Sequence, residues 1–497
     1  MLRLPLFFRL AAVAALGLAP GWALAQKTPR APKPALPPVV AKALARAQVP
    51  VEAVTLLVMD ASGKQPPRLD YRSSVPMNPA SVMKLVTTYA ALDVLGPAYT
   101  WNTRVLMDGS LSDGLLSGNL VVRGGGDPKM VVERLQALLA QVQASGVKVI
   151  RGDIVLDRSA FQAATADAGE FDGEPLRPYN AQPDALLINF KSLVLRFTPD
   201  LASGRALVHT EPPMAGLMVD DSVPLARVAR CGDWRSELQT SLDNPNRIQF
   251  AGSYSSACGE RVWPMAYAEP ATFAARAIEG SWRALGGLLT GKVRDASAAE
   301  LVTLRTRGTL SGEKAPLRLD TPSLPLRDIV RDVNKFSNNV MAQHLFLTLG
   351  RHAQPGDNPQ GTPEAGRAAL AIWWKKTLPR HDAPVMDNGS GLSRIERISA
   401  ASLAAMLQVA AQSRVAQDFV DSLPVAGVDA TMRERAKAVT GQAFMKTGSL
   451  RDVTAVAGYA NGAGGTRYIV VGIINHPNAG AARPALDALI QWAVQER

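Results

Sequence analysis

Residues 78–96 read NPASVMKLVTTYAALDVLG, and Pro97 follows. Asn78 suits an N-cap and Pro79 the first helical position, while Gly96-Pro97 stops a helix. The stretch therefore predicts a buried helix with Ser81 in its first turn. Positions three apart share a helix face, so Lys84 stands beside Ser81.

Working outward, residues 39–49 have helical periodicity and 53–60, AVTLLVMD, read as a buried strand. A turn at 61–64 and a second strand at 68–72 come before the serine. At the other end of the chain, 443–450 (AFMKTGSL), 453–460 (VTAVAGYA) and 466–475 (TRYIVVGIIN) are strand signals split by turns. They predict an antiparallel meander, and 482–497 a closing helix. The two ends can then close into one sheet covered by helices. This predicts an α/β (α+β) catalytic domain from 39–101 and 306–497.

The middle of the chain reads as two nested insertions. Segments 102–169 and 263–305 form the outer one, with strand signals at 103–111, 118–128, 149–157 and 299–307. Helices are expected at 130–146 and 270–288. Segment 170–262 is turn-rich, with short strands, and forms the inner one. It holds both cysteines, Cys231 and Cys258. They read as a local disulfide, the alternative being two free buried thiols.

Residues 1–25 read as an export signal: Arg3 and Arg9, an apolar run over 10–18, then Ala23-Leu24-Ala25. That run is short for a spanning helix, which needs about 20 residues, so cleavage after Ala25 and a periplasmic mature chain without a stable membrane anchor are expected. Residues 27–38 read as an extended Pro-rich leader. The formal charge of +11 comes with no basic run interleaved with aromatics. That argues against nucleic acid and suits an anionic envelope polymer, or serves solubility alone.

Three short motifs carry the chemistry. They are Ser81-Val82-Met83-Lys84, then Ser337-Asn338-Asn339 between two helical segments, then Lys446-Thr447-Gly448-Ser449 on a strand. Each alone is weak, but their order and context make the signature of the serine penicillin-recognising enzymes. A free serine is a poor nucleophile and needs a base. A lysine near other cations and partly desolvated has a lowered pKa and can accept the proton. Ser337 can relay a proton to the leaving amine, and Asn339 can hold Lys84 and the substrate amide. Lys446 and Thr447 suit a substrate carboxylate. Gly448 leaves room for substrate along the strand, and the N–H groups of Ser81 and Ser449 can form an oxyanion hole.

On the segments NPASVMKL (78–85), GGGDP (124–128), SNNVMAQHL (337–345), DNGSGLSR (387–394), LPVAGVDATMR (423–433) and MKTGSL (445–450), the sequence resembles the class C low-molecular-mass penicillin-binding proteins. These are the D-alanyl-D-alanine carboxypeptidase/endopeptidases. The resemblance implies a penicillin-binding transpeptidase-like domain carrying two inserted domains, consistent with the 256 residues from Ser81 to Ser337. It also implies action on peptidoglycan stem peptides and cross-links, and covalent binding of β-lactams. No metal or organic cofactor is implied; a homodimer is left open. Val82 stands where the family usually has Thr, Gln343 where Glu is usual, and Ala430 where Gly is usual.

Other features lead elsewhere. GGGDP lacks the ending of a phosphate loop and reads as a structural turn. Gly389-Ser390-Gly391 lacks the first glycine of a nucleophile elbow, so 387–394 reads as a loop near the cleft. In that loop Arg394 either binds substrate or is structural, and Asp387 is expected to order the turn. The five histidines show no metal-ligand spacing, and His476 reads as structural. The rivals are a β-lactamase, disfavoured by the long insertion, and a non-catalytic wall-binding or sensor module, disfavoured by the intact motifs.

Overall fold

A computed structural model describes residues 36–164, 167–226, 230–307, 318–356 and 359–495. The export-signal reading and most of the Pro-rich leader lie outside the described residues. Among those described, no helix is long and apolar enough to cross a membrane.

The two chain ends build one antiparallel sheet. Its strand order is Leu69–Tyr71, Val54–Asp60, Arg467–Asn475, Val453–Asn461, Ala443–Leu450. Alternation along the strands sorts side chains between two cores. Leu56, Val58, Val456, Val470 and Ile474 face the helices Pro38–Arg46 and Arg483–Gln495. Leu57, Ala455, Ala457, Val471 and Ile473 face the other way, onto a helical layer that includes Lys84–Leu95 and Ala400–Ala411. The same period decides the edge strand. Met445 joins the terminal-helix core, so Lys446 points to the layer that carries Ser81. A one-residue slip would reverse the two.

Between the ends lies a seven-stranded mixed sheet built on the hairpin Asn102–Ser112 and Leu115–Arg123. A five-stranded sheet that includes Ser192–Asp200 and Arg205–Glu211 shares a hydrophobic core with it. The Cys231–Cys258 disulfide is present beside that second sheet.

Three sequence expectations need correction here. Residues 299–307 are helical, within Ala298–Arg307, and not a strand. A capping box starts this helix: Ser297 N–H donates to Glu300, and Glu300 N–H returns to the Ser297 hydroxyl. The strand Arg318–Pro322 pairs with Asn102–Ser112, so the outer insertion's sheet runs past 305. Likewise the strand Arg261–Ala266 pairs with Ser192–Asp200 across the 262 boundary.

Candidate active site

Ser81 sits in a 3-10 turn, Ala80–Met83, which runs directly into the helix Lys84–Leu95. The first turn expected from Asn78 is thus tighter than an α-turn, and Asn78 lies one residue outside it. Its side chain still works there, accepting the Ala80 N–H at 2.8 Å and donating to the Ser393 carbonyl at 2.9 Å. Ala80 has φ 48°, a left-handed conformation that costs a non-glycine residue about 1–3 kcal/mol. Two glycines make room for this turn. A Cβ on Gly391 would lie 2.0 Å from the Ala80 carbonyl oxygen, and one on Gly448 would lie 2.4 Å from that of Pro79. The KTGS strand and the 387–394 loop can therefore press against the nucleophile from two sides.

The second motif sits at a helix break. Ser337 has φ 55° at the end of Leu326–Phe336, and Asn338 caps the next helix, Asn339–His352, by accepting the Met341 N–H at 3.0 Å. The left-handed residue turns the chain so that the Ser337 hydroxyl and the Asn339 amide both face the cleft.

The three motifs converge. Lys84 Nζ is 2.9 Å from Ser81 Oγ and 2.7 Å from Asn339 Oδ1, and it also donates to the Ser390 carbonyl. Lys446 Nζ is 2.9 Å from Ser337 Oγ and 2.8 Å from the Thr447 carbonyl. Both amines are 0 % exposed, while Ser81 and Ser337 remain half-buried at the cleft surface. Asn339 Nδ2 donates to the Tyr179 carbonyl at 2.9 Å, which ties the inner insertion to the site. Thr447 Oγ1 meets Thr431 Oγ1 at 3.0 Å.

Electrostatics follow from this burial. Desolvation, with the Lys446 cation adding to it and Glu396 opposing it, holds Lys84 well below the usual lysine range. Desolvation brings Lys446 down to about 7. A neutral lysine amine has two N–H donors and one lone pair. Lys84 has two carbonyl-type acceptors and one hydroxyl around it, so the neutral form is fully satisfied with its lone pair on the Ser81 proton.

Gly448 and Ser449 lie on the outer edge of the sheet, with Gly448 buried against the serine turn and Ser449 exposed. An open edge can accept an extended peptide as a further strand. Arg394 stands apart from the lysines. It pairs with Asp452 at 2.9 Å and lies over the Phe171 ring at 4.6 Å, in the wall of a cavity of about 560 Å³. Gln343, one turn beyond Asn339, shares that wall.

Sequence reasoning missed Glu396, Ser390 and Thr431. The loop is ordered by Glu396 rather than by Asp387. One Glu396 oxygen accepts the N–H groups of Asp387, Asn388 and Gly389 at 3.1–3.2 Å. Burial raises its pKa to about 7, against those three donors. In sequence it lies within Ser-Arg-Ile-Glu-Arg, which reads as an exposed polar run. Ala430 has φ 48°, a backbone that glycine adopts more easily and a physical account of the glycine usual there.

Known proteins point the same way. The family model described as D-Ala-D-Ala carboxypeptidase 3 (S13) matches residues 38–496. A D-alanyl-D-alanine carboxypeptidase DacB from Haemophilus influenzae is 27% identical over 420 residues, 83% of each chain. A D-alanyl-D-alanine carboxypeptidase from an Actinomadura species is 28% identical over 435 residues, 84% of this chain and 77% of that one. The crystal structure of penicillin binding protein 4 from Haemophilus influenzae superposes with a TM-score of 0.70 at 23% identity, covering 92% of this chain and 99% of that one, and shows the shared fold. These relatives favour a carboxypeptidase over a β-lactamase. The chain belongs to the D-Ala-D-Ala carboxypeptidase 3 (S13) family, as a serine D-Ala-D-Ala carboxypeptidase of the low-molecular-mass penicillin-binding type.

Proposed function

We propose that the chain acts in the periplasm on peptidoglycan, removing the terminal D-Ala of stem peptides and opening cross-links, through an acyl-enzyme on Ser81. The observation that carries this reading is the hydrogen bond from Lys84 to Ser81, with Asn339 on the same amine and the Ser337–Lys446 pair beside it.

Neutral Lys84 takes the Ser81 proton as Oγ bonds to the penultimate D-Ala carbonyl carbon. The developing oxyanion lies between the N–H groups of Ser81 and Ser449; such a donor contributes about 3 kcal/mol. The terminal D-Ala leaves as its nitrogen takes a proton through Ser337, and water then hydrolyses the ester. Lys446 in its charged form and Thr447 hold the substrate's terminal carboxylate, and Arg394 lines the cavity beyond the cleft. A solved structure of penicillin binding protein 4 holds a β-lactam; in this chain the same class of compound would acylate Ser81 as a substrate mimic.

Ser81→Ala tests the reading. Release of D-Ala from a D-Ala-D-Ala peptide should vanish while the folded protein persists. Unchanged release would refute the role of Ser81.

A further inference from the structure

On one face of the seven-stranded sheet, four charged residues stand in a row across neighbouring strands. Asp320 is opposite Arg104, Arg104 is opposite Arg123, and Arg123 is level with Asp157. Arg104 pairs outward with Asp320 at 3.0 Å and Arg123 with Asp157 at 2.7 Å. Like charges directly opposite each other destabilise a strand pair, yet two arginines stand opposite each other at the centre of the row. A third, Arg351, reaches in from the last turn of the helix Asn339–His352. Its Nε donates to the Pro359 carbonyl at 2.9 Å and its Nη1 to that of Gly125 at 3.5 Å. Among the described residues no carboxylate forms an ion pair with it.

The three arginines and Asp157 line a cavity of about 280 Å³. The Nη2 of Arg123 is buried without a hydrogen-bond partner among the described residues. Burial, with Arg104 and Arg123 adding to it and Tyr99 and Asp157 opposing it, holds Arg351 below the usual arginine range. The helix spans 14 residues from Asn339 to His352, about 20 Å at 1.5 Å per residue. The cavity is therefore at the far end of the helix from the catalytic amide.

We propose that this cavity is a binding site for a phosphate-type oxyanion, at the seam between the inserted sheet and the catalytic body. A carboxylate's two oxygens are satisfied by one guanidinium fork; three converging guanidinium groups suit an anion with more oxygens. The volume also exceeds what a bare ion fills, since a water takes roughly 30 Å³, so a phosphodiester of an anionic wall polymer fits the same chemistry as free phosphate. A bound anion would link Arg104 and Arg123 of the sheet to Arg351 of the helix.

Calorimetric titration of the whole protein with inorganic phosphate, at constant ionic strength in chloride, tests this. A parallel arm uses glycerophosphoglycerol as the diester. Saturable binding at one site is expected, weakened about tenfold or more in Arg351→Gln and in Arg104→Gln, with penicillin acylation unchanged. Arg351→Lys, which keeps the charge without the fork, should fall between. Binding of the diester at least as tight as phosphate assigns the site to a polymer, and binding of phosphate alone assigns it to the free ion; both uphold the site. No saturable binding of either, or equal affinity in wild type and Arg351→Gln, would overturn it.

Discussion

In the proposed mechanism Lys84 owes its role as base to where its amine sits. Full burial and a nearby cation lower its pKa, and two carbonyl-type acceptors leave its lone pair for Ser81. Replacing it by Met removes the proton acceptor and keeps the bulk. Acylation by penicillin should then drop by roughly 10²–10⁴, measured as the rate of covalent labelling. Lys446 sets a pH limit of its own. Its pKa of about 7 means that charge is lost as pH rises through that value in the free enzyme. In the proposed mechanism the charged form holds the substrate carboxylate, so kcat/KM for a D-Ala-D-Ala peptide should decline on the alkaline side from about 7. Lys446→Arg should move that limb to higher pH. A flat profile from neutrality upward in the wild type would contradict the assignment. These residues were legible as candidates in the sequence, because each motif ties a residue type to a local geometry. Glu396 was not, because nothing in Arg-Ile-Glu-Arg signals that the carboxyl turns inward beneath a glycine loop.

At the level of elements, close approach explains the glycines of the site. Gly448→Ala would push a Cβ to 2.4 Å from the Pro79 oxygen, which is backbone and cannot swing away. Overpacking of this kind costs about 1–3 kcal/mol. Urea unfolding should show that loss of stability, and labelling should slow because strand and serine turn separate. The 387–397 loop depends on one carboxyl. Glu396→Ala leaves three inward N–H groups without their acceptor and should cost about 1–3 kcal/mol by the same measurement. Glu396→Gln retains an oxygen there and should stay within about 1 kcal/mol of wild type. The sheet ends and meander were readable as short apolar runs split by turns. The helix Ala298–Arg307 was misread because Val302 and Thr303 favour strands, whereas its Ser297–Glu300 capping box was present in the sequence and decides the matter.

Across the whole molecule, a neutral histidine clamps the insertion to the catalytic body. His344, on the same helix as Asn339, is fully buried between the Gly126 carbonyl at 3.0 Å and the Asp184 N–H at 3.3 Å. The GGGDP turn is thus a docking element. Burial lowers the His344 pKa from 6.5 to about 4. Between those values the unfolded chain binds the extra proton, so this group's stabilisation is complete above about 6.5 and is lost as pH falls toward 4. The loss is about 3 kcal/mol at most. Thermal unfolding of wild type should therefore decline more steeply over that window than that of His344→Gln. The presence of inserted segments was visible in the spacing of the motifs. Their boundaries were not, because the strands Arg318–Pro322 and Arg261–Ala266 are short and take their place only by pairing with partners far away in sequence.

Intact mass after exposure to penicillin, with the adduct mapped by digestion, tests the convergence of the three motifs most directly. One penicilloyl group on the peptide that carries Ser81, absent in Ser81→Ala and slowed in Lys84→Met, is the predicted result. A properly folded protein that takes no label, or takes it on another residue, would contradict the account.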